Sequence, residues 1–439
     1  MDAQREAATG IVRRLGREGF AAYLVGGCVR DMLLGRVPRD YDVSTSATPQ
    51  QVLSLFPDAL MVGAQFGVVL VPADAGDVEV ATFRSDGVYA DGRHPTEVRY
   101  AKTAQEDVQR RDFTINGLLY DPLTDQVLDY VGGQEDLRAK RLRTIGNPID
   151  RLSEDRLRML RGVRFATRLG FQLDPAALAA IQSLAPRIKT VSAERQRDEI
   201  VKILTEGPPR AGFELLDQSG LLVELLPEIK RMQGVQQPPE FHPEGDVWIH
   251  TLMMLEGLHQ PTPTLAWGVL LHDVGKPPTF AVRERIRFDG HVEMGALMAA
   301  EICARFKIST RETERIVELV QHHLRFKDFP RMKRSTQLRF LRMEGFEEHL
   351  ELHRLDCLSS HRNLANYEMA RRMLEETPKE EIKPEPLLRG EDLIAQGYTP
   401  GPIFKSILRA VEDAQLEGRI HDHTEALRLI AEQFPVHQP

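Results

Sequence analysis

LVGGCVRDMLLGRVPRDYDVSTSATP, residues 24–49, runs from an apolar strand into a double glycine, through a short helix carrying Arg30 and Asp31, and out onto an Asp-x-Asp pair. On a strand, residues i and i+2 point the same way, so the spacing predicts that Asp40 and Asp42 present two carboxylates on one face of the strand DYDVS. Carboxylates that close repel unless a cation lies between them. Hard oxygen ligands of this kind suit Mg²⁺, which binds through one or two carboxylates plus substrate phosphates. A third acid stands at Glu79 in DVEVATF, where Val78 and Val80 would face the other side of a strand. Gly26 and Gly27 would let the backbone approach a triphosphate with its amide N–H groups turned inward. Together these parts would serve a two-metal phosphoryl transfer. A DxD or a GG alone reads as an ordinary turn; their combination is far more specific.

The 439 residues are long for one core and imply two to four compact units. No apolar run approaches the roughly 20 residues of a spanning helix, so no membrane association is expected. The start, MDAQREAATGIVRRLGREGF, has the pattern of an amphipathic helix rather than a signal peptide. Cys28, Cys303 and Cys357 form no CxxC and no disulfide framework, which points to a reducing cytoplasm. The net charge of −8 argues by itself against a nucleic-acid partner, but its distribution does not. Between Arg138 and Arg168 ten basic residues face three acids. Such a stripe can bind phosphates; it can equally be a solvated helix face.

The class expected is α+β. Short apolar runs separated by turn signals predict a small mixed-sheet head over 1–145, and helical periodicity predicts a neck over 146–235. After the Pro-rich break QGVQQPPEFHPEGD, a His-rich helical region is expected over 236–370 and a helical tail over 371–439.

The opening stretch resembles the first motif of the class II tRNA nucleotidyltransferases, the CCA-adding and poly(A) polymerase family, and further matches follow in the family's order. TFRSDGVYADGRHPTEVRYA (82–101) is similar to its flexible loop, EDVQRRDFTINGLLYDP (106–122) to its ribose motif, SEDRLRMLRGVRFATRLGF (153–171) to its base-recognition helix, and VSAERQRDEIVKIL (191–204) to its last neck motif. The resemblance implies addition of C, C and A to tRNA from CTP and ATP with Mg²⁺, with Asp40, Asp42 and Glu79 catalytic. It implies nucleotide contacts from Gly26, Gly27, Arg30, Arg111, Asp112, Asn116, Asp155, Arg158, Arg161 and Arg164. Asp112 and Asn116 would take the ribose hydroxyls and Arg111 the triphosphate. Asp155 and Arg158, three apart on one helix face, would read the Watson–Crick edge of cytosine or adenine; without the motif they would be a surface ion pair. Two rivals within the family are an enzyme adding only the terminal A and a poly(A) polymerase. The loop around YADGRHP is missing in much of its length from CC-only members, and VGAQFGVVLVP (62–72) stands where poly(A) polymerases carry a basic segment.

A second constellation follows residue 240: His250, His272-Asp273 within HDVGKP, His291, His322-His323 and Asp356. It resembles the HD phosphohydrolase superfamily, which implies a metal held by His250, His272, Asp273, His291, His322 and Asp356, of the kind of Ni²⁺, Co²⁺ or Mn²⁺, and a phosphate contact from Lys276. A chain that is mainly an HD hydrolase acting on RNA ends is the alternative from another class. A degenerate HD body kept for structure also fits the sequence.

Overall fold

The computed structural model describes residues 3–62, 67–86, 98–240 and 242–435. It divides into two compact units, Met1–Lys230 with Arg305–Lys307, and Arg231–Ala304 with Ile308–Pro439. The chain passes from the first to the second after Lys230 and returns to the first at Arg305–Lys307.

In the first unit, α1 (Ala3–Arg17) buries Ala8, Ile11, Val12 and Leu15, the stripe of an amphipathic helix. Strands β1 (Ala22–Val25), β2 (Asp42–Thr45), β3 (Leu60–Val62), β4 (Val68–Val71) and β5 (Val78–Thr82) follow, and β6 (Arg84–Asp86) pairs separately with β7 (Val98–Tyr100). With β8 (Leu118–Asp121) and β9 (Gln126–Asp129) they build a seven-stranded sheet in the order β3-β4-β5-β2-β1-β8-β9. It is mixed, because β2 and β5 run parallel with Val43 opposite Val80, while β1 is antiparallel to both its neighbours. Strand alternation gives the sheet two apolar faces. Leu24, Val43 and Val80 join the large core under α1, while Val25 and Leu119 join Phe83, Val108 and Ile145 on the other side.

Helices α2 (Gly27–Leu33), α3 (Pro49–Leu55), α4 (Ala104–Gln109) and α5 (Gly133–Arg138) connect or flank the strands. Helix α3 starts where its sequence says it should, with a Thr48–Gln51 capping box and Pro49 in the first turn. Beyond the sheet come α6 (Pro148–Glu154), α7 (Leu157–Leu169), α8 (Pro175–Leu184), α9 (Ala193–Thr205), α10 (Pro209–Gln218), α11 (Leu221–Leu225) and α12 (Pro227–Lys230). Helix α7 packs on α9 and α10. The stretch expected as one helix over 153–171 is broken at Asp155, which has φ −136° and ψ 105°. The Asp155 carboxylate accepts the Leu157 amide at 3.1 Å, a local bond that competes with continued helix and opens α7 instead.

The second unit is helical: α13 (Val247–Glu256), α14 (Pro263–Leu271), α15 (Lys276–Thr279), α16 (His291–Arg305), α17 (Thr310–His322), α18 (Arg334–Leu341) and α19 (Phe346–Ser359), then helices between Ala365 and Gln433. Helix α14 is apolar all round, buries every residue from Leu265 to Leu271, and packs against α13, α17 and α19. The seven-stranded sheet of the first unit and the helices of the second, with the short antiparallel pair Ala281–Val282 and Ile286–Arg287 among them, make the class α+β, as expected. Among the described residues no helix is long and apolar enough to cross a membrane.

Candidate active site

The first site forms where β1 ends. Gly26 has φ 75°, a conformation that glycine adopts at little cost, and a Cβ there would lie 3.4 Å from Arg111 Nη1. This turn borders a cleft of about 530 Å³ lined in part by Gly26, Gly27, Asp40 and Asp42. Asp42 is the first residue of β2, while Asp40 precedes the strand and is exposed, so the pair is not carried on a single strand as its spacing predicts. The parallel register of β2 and β5 brings Glu79, exposed between buried Val78 and Val80, alongside Asp42. Burial, then the Asp40 and Glu79 charges, push the Asp42 carboxyl up to about 6 against the opposing pull of Arg111. Three carboxylates with that much uncompensated repulsion are a fitting donor set for a hard divalent cation.

The same cleft is lined by Arg111, Asp112, Asn116, Asp155, Arg158 and Arg161. Arg30, buried on α2, donates to Asn116 Oδ1 at 2.8 Å; Asn116 Nδ2 donates to Asp112 Oδ1 at 3.1 Å; Arg161 Nε donates to Asp112 Oδ2 at 2.8 Å. Burial alone would raise Asp112, but Arg161 and Asn116 outweigh it and hold the carboxylate down at about 2. Arg110 and Arg111 both donate to buried Asp107, at 2.8 and 2.9 Å, and among the described residues Arg111 Nε is buried with no hydrogen-bond partner. That nitrogen is suited to an anion.

Asp155 and Arg158 reach the cleft from the α6–α7 break, not from one helix face, and they do not pair with each other. Arg158 donates to Glu154 at 2.5 Å and to the Arg151 and Arg110 carbonyls at 2.8 and 3.0 Å. Asp155 accepts two bonds from Arg195, at 3.2 and 2.7 Å. Arg164 lies outside the cleft lining: it is buried in an ion pair with Glu199 at 2.6 Å, so the structure places it behind the site. Sequence reasoning passed over Asp107, Phe165 and Arg195. The last two line the cleft, and the guanidiniums of Arg30 and Arg161 stack on the Phe165 ring at 5.4 and 5.1 Å. The signal for Arg195 was available, since a carboxylate aimed at a base needs a cation to hold it and ERQR lies in the last neck motif. The loop YADGRHP lies outside the described residues.

The second site is in the helical unit. His250 comes from α13, His272 and Asp273 from the end of α14, His291 from the start of α16, and Asp356 from α19. The turn needs Gly275, because a Cβ there would lie 2.1 Å from the His291 carbonyl oxygen. Three rings are pinned at Nδ1 by a backbone carbonyl three residues earlier: His272 on Val269 at 2.8 Å, His291 on Phe288 at 2.8 Å, His323 on Val320 at 2.7 Å. Among the described residues, the buried Nε2 atoms of His250, His272 and His291 and Asp273 Oδ1 have no well-directed hydrogen bond. His291 Nε2 and His323 Nε2 lie 3.9 and 3.8 Å from Asp273 Oδ1, and His250 Nε2 lies 3.2 Å from Asp356 Oδ1. Converging nitrogens and carboxylates fit a transition-metal ion.

His323, not His322, is the histidine of this cluster. Consecutive helical residues point about 100° apart, so only one of the two can face it, and the His322 ring turns instead toward His349, with centroids 6.1 Å apart. Lys276 is also differently placed from the expectation of a phosphate contact. It is buried, with Nζ donating to Asp273 Oδ2 at 2.6 Å and to Gln237 at 2.7 Å, and it serves to orient Asp273.

Comparison with known proteins bears on both sites. A family model of the poly A polymerase head domain matches residues 22–143, one of the probable RNA and SrmB-binding site of polymerase A matches 170–233, and one of the HD domain matches 247–356. The CCA-adding enzyme of Enterococcus faecalis is 31% identical over 430 residues, covering 98% of this chain and 96% of that protein. The chain belongs to the CCA-adding enzyme family. A solved CCA-adding enzyme, that of Bacillus stearothermophilus in complex with CTP, superposes over 98% of both chains with a TM-score of 0.75 at 28% identity. Poly(A) polymerase I of Haemophilus influenzae is 38% identical, but over 234 residues, 51% of each chain. Likeness to the CCA-adding enzymes therefore runs the whole length, through the HD domain, while that to the poly(A) polymerase is confined to about half.

Proposed function

We propose that this chain adds C, C and A to the 3′ end of tRNA without a template, using CTP and ATP and releasing pyrophosphate. The observation that carries the proposal is one cleft lined together by Gly26, Asp40, Asp42, Arg111, Asp112, Asn116, Asp155 and Arg158. A divalent metal, of which Mg²⁺ best suits the donors, would be held by Asp40 and Asp42 with Glu79 as third carboxylate, and would supply activation of the tRNA 3′-hydroxyl and charge neutralisation on the leaving pyrophosphate. The residues of this chain set the geometry. Arg111, anchored on Asp107, offers its unpartnered Nε to the triphosphate, and the Gly26–Gly27 turn gives it room. Asp112 and Asn116 take the ribose hydroxyls, their rotamers fixed by Arg161 and Arg30. Asp155 accepts the exocyclic amine of cytosine or adenine, and Arg158 donates to the ring nitrogen or carbonyl. Uracil and guanine present the opposite pattern to both.

The test offers the enzyme tRNAs ending at the discriminator base, at C and at CC, with each nucleotide separately. Stepwise C, C, A incorporation is expected, abolished in Asp42→Ala. Extension of only the CC-ended tRNA would make it an A-adding enzyme, and a run of A would make it a poly(A) polymerase. Both sets of site residues would operate in the cytoplasm, where the nucleotides are.

A second activity is favoured by the convergence of the His250, His272 and His291 Nε2 atoms on the Asp273 and Asp356 carboxylates. We infer a metal-dependent phosphodiesterase or phosphatase acting on RNA ends, with Ni²⁺, Co²⁺ or Mn²⁺ held by His250, His272, Asp273, His291, His323 and Asp356. Hydrolysis of a chromogenic phosphodiester with these ions, lost in His272→Ala, is the expected result; equal rates in both proteins would refute it.

A further inference from the structure

His250 departs from its neighbours in the helical unit in one respect. The other three histidines of the cluster donate Nδ1–H to the carbonyl three residues earlier, but for His250 that carbonyl, Val247 O, is taken at 2.9 Å by the Thr251 hydroxyl. Its Nδ1 instead meets Glu244 Oε1 at 2.7 Å. Glu244 lies in the segment leading into α13, outside the His and Asp pattern that marks this site, and its side chain is only 4% exposed. The same oxygen takes His242 Nδ1 at 2.9 Å, and His242 lies edge-on to His250 with ring centroids 5.1 Å apart. An ionised carboxylate only accepts, so both rings donate from Nδ1. His250 Nε2 is thereby the nitrogen left to face His272, Asp273 and Asp356.

We propose that Glu244 is a positioning residue of this second site: it fixes the tautomer and orientation of His250 for metal ligation through Nε2, with His242 steadying Glu244 from the surface side. A carboxylate behind an imidazole also makes the ligand nitrogen more basic than a carbonyl does, so His250 becomes the strongest nitrogen donor of the set. The inference rests on the metal-binding reading of the site, and the two fail in distinguishable ways.

The experiment titrates metal-free full-length protein with Co²⁺ in excess Mg²⁺, following the visible absorption of bound Co²⁺ and the dissociation constant by calorimetry, with far-UV circular dichroism as the check on folding. Glu244→Ala is expected to bind Co²⁺ 10–100-fold more weakly, with a shifted visible spectrum. Glu244→Gln, which keeps the shape and an acceptor oxygen, should stay within a few-fold of wild type. Unchanged Co²⁺ affinity and spectrum in Glu244→Ala, or a loss in Glu244→Gln as large as that in Glu244→Ala, would overturn the positioning role while leaving the metal site standing. Identical Co²⁺ binding by wild type and His272→Ala would overturn the metal reading itself, and this inference with it.

Discussion

Asp42, proposed to hold the metal, shows how such a carboxylate costs its protein stability. Its carboxyl rises from the usual 3.8 to about 6 through burial and the charges of Asp40 and Glu79. The folded state therefore holds that proton more tightly than the unfolded chain, and the penalty is absent below about 3.8 and complete above about 6. At roughly 1.4 kcal/mol per pH unit this amounts to at most ~3 kcal/mol at neutral pH. Asp42→Asn removes it, so at pH 7.5 without divalent metal its Tm should exceed that of wild type by several degrees while nucleotide incorporation disappears. A lower Tm in the calorimeter would contradict the repulsion. The proposed base selection by Asp155 belongs to the same scale. Arg195 holds Asp155 by two bonds, and hydrogen bonds to charged groups are worth about 1.5–3 kcal/mol. Arg195→Ala should therefore raise UTP misincorporation relative to CTP by about tenfold, measured as a ratio of kcat/KM values, and an unchanged ratio would separate Arg195 from base selection.

At the scale of elements, the structure explains which expectations the chain could support. Strand alternation around Glu79 and the glycine turn at Gly26 were legible, because each is dictated by backbone geometry within a few residues. The α6–α7 break at Asp155 was not, since RLSEDRLRML contains no Gly or Pro to mark an interruption, and the Asp155 carboxylate takes the Leu157 amide at the break. The exchange of His323 for His322 was hidden for a related reason. Two adjacent histidines fit the same spacing, and the choice depends on the rotational setting of α17, which distant packing decides. Gly275 carries the element-scale prediction. A Cβ 2.1 Å from the His291 carbonyl meets backbone, which cannot move aside cheaply. Gly275→Ala should push the start of α16 away from Asp273, cost about 3 kcal/mol by overpacking, and weaken Co²⁺ binding; unaltered thermal unfolding and Co²⁺ affinity would show that the turn is more pliable than this packing implies.

For the whole molecule, the first unit puts its chemistry at the ends of central strands of a sheet and the second puts its own inside a helical bundle, where buried histidines such as His349 and His353 lose their contribution in acid. In the second unit burial, with the charges of Arg315, His322 and Arg325, holds His349 down to about 3, and burial holds His353 down to about 4 in spite of Asp356. A histidine whose folded pKa lies below its unfolded 6.5 contributes stability above 6.5 and loses it as pH falls toward the folded value, here by up to about 2 kcal/mol each at pH 5. In the first unit Asp112, held at about 2, keeps its contribution throughout that range, and relief of Asp42 below about 6 adds to stability. The chain's two tryptophans, Trp248 and Trp267, both lie in the second unit and are buried, so intrinsic fluorescence reports that unit alone. In metal-free buffer, lowering the pH from 7.5 to 5 should bring the tryptophan transition to lower urea concentration while CTP binding, a report on the first unit, survives to higher urea. Coincident loss of fluorescence and CTP binding at pH 5 would mean that the units unfold as one and that the buried histidines do not set the acid limit.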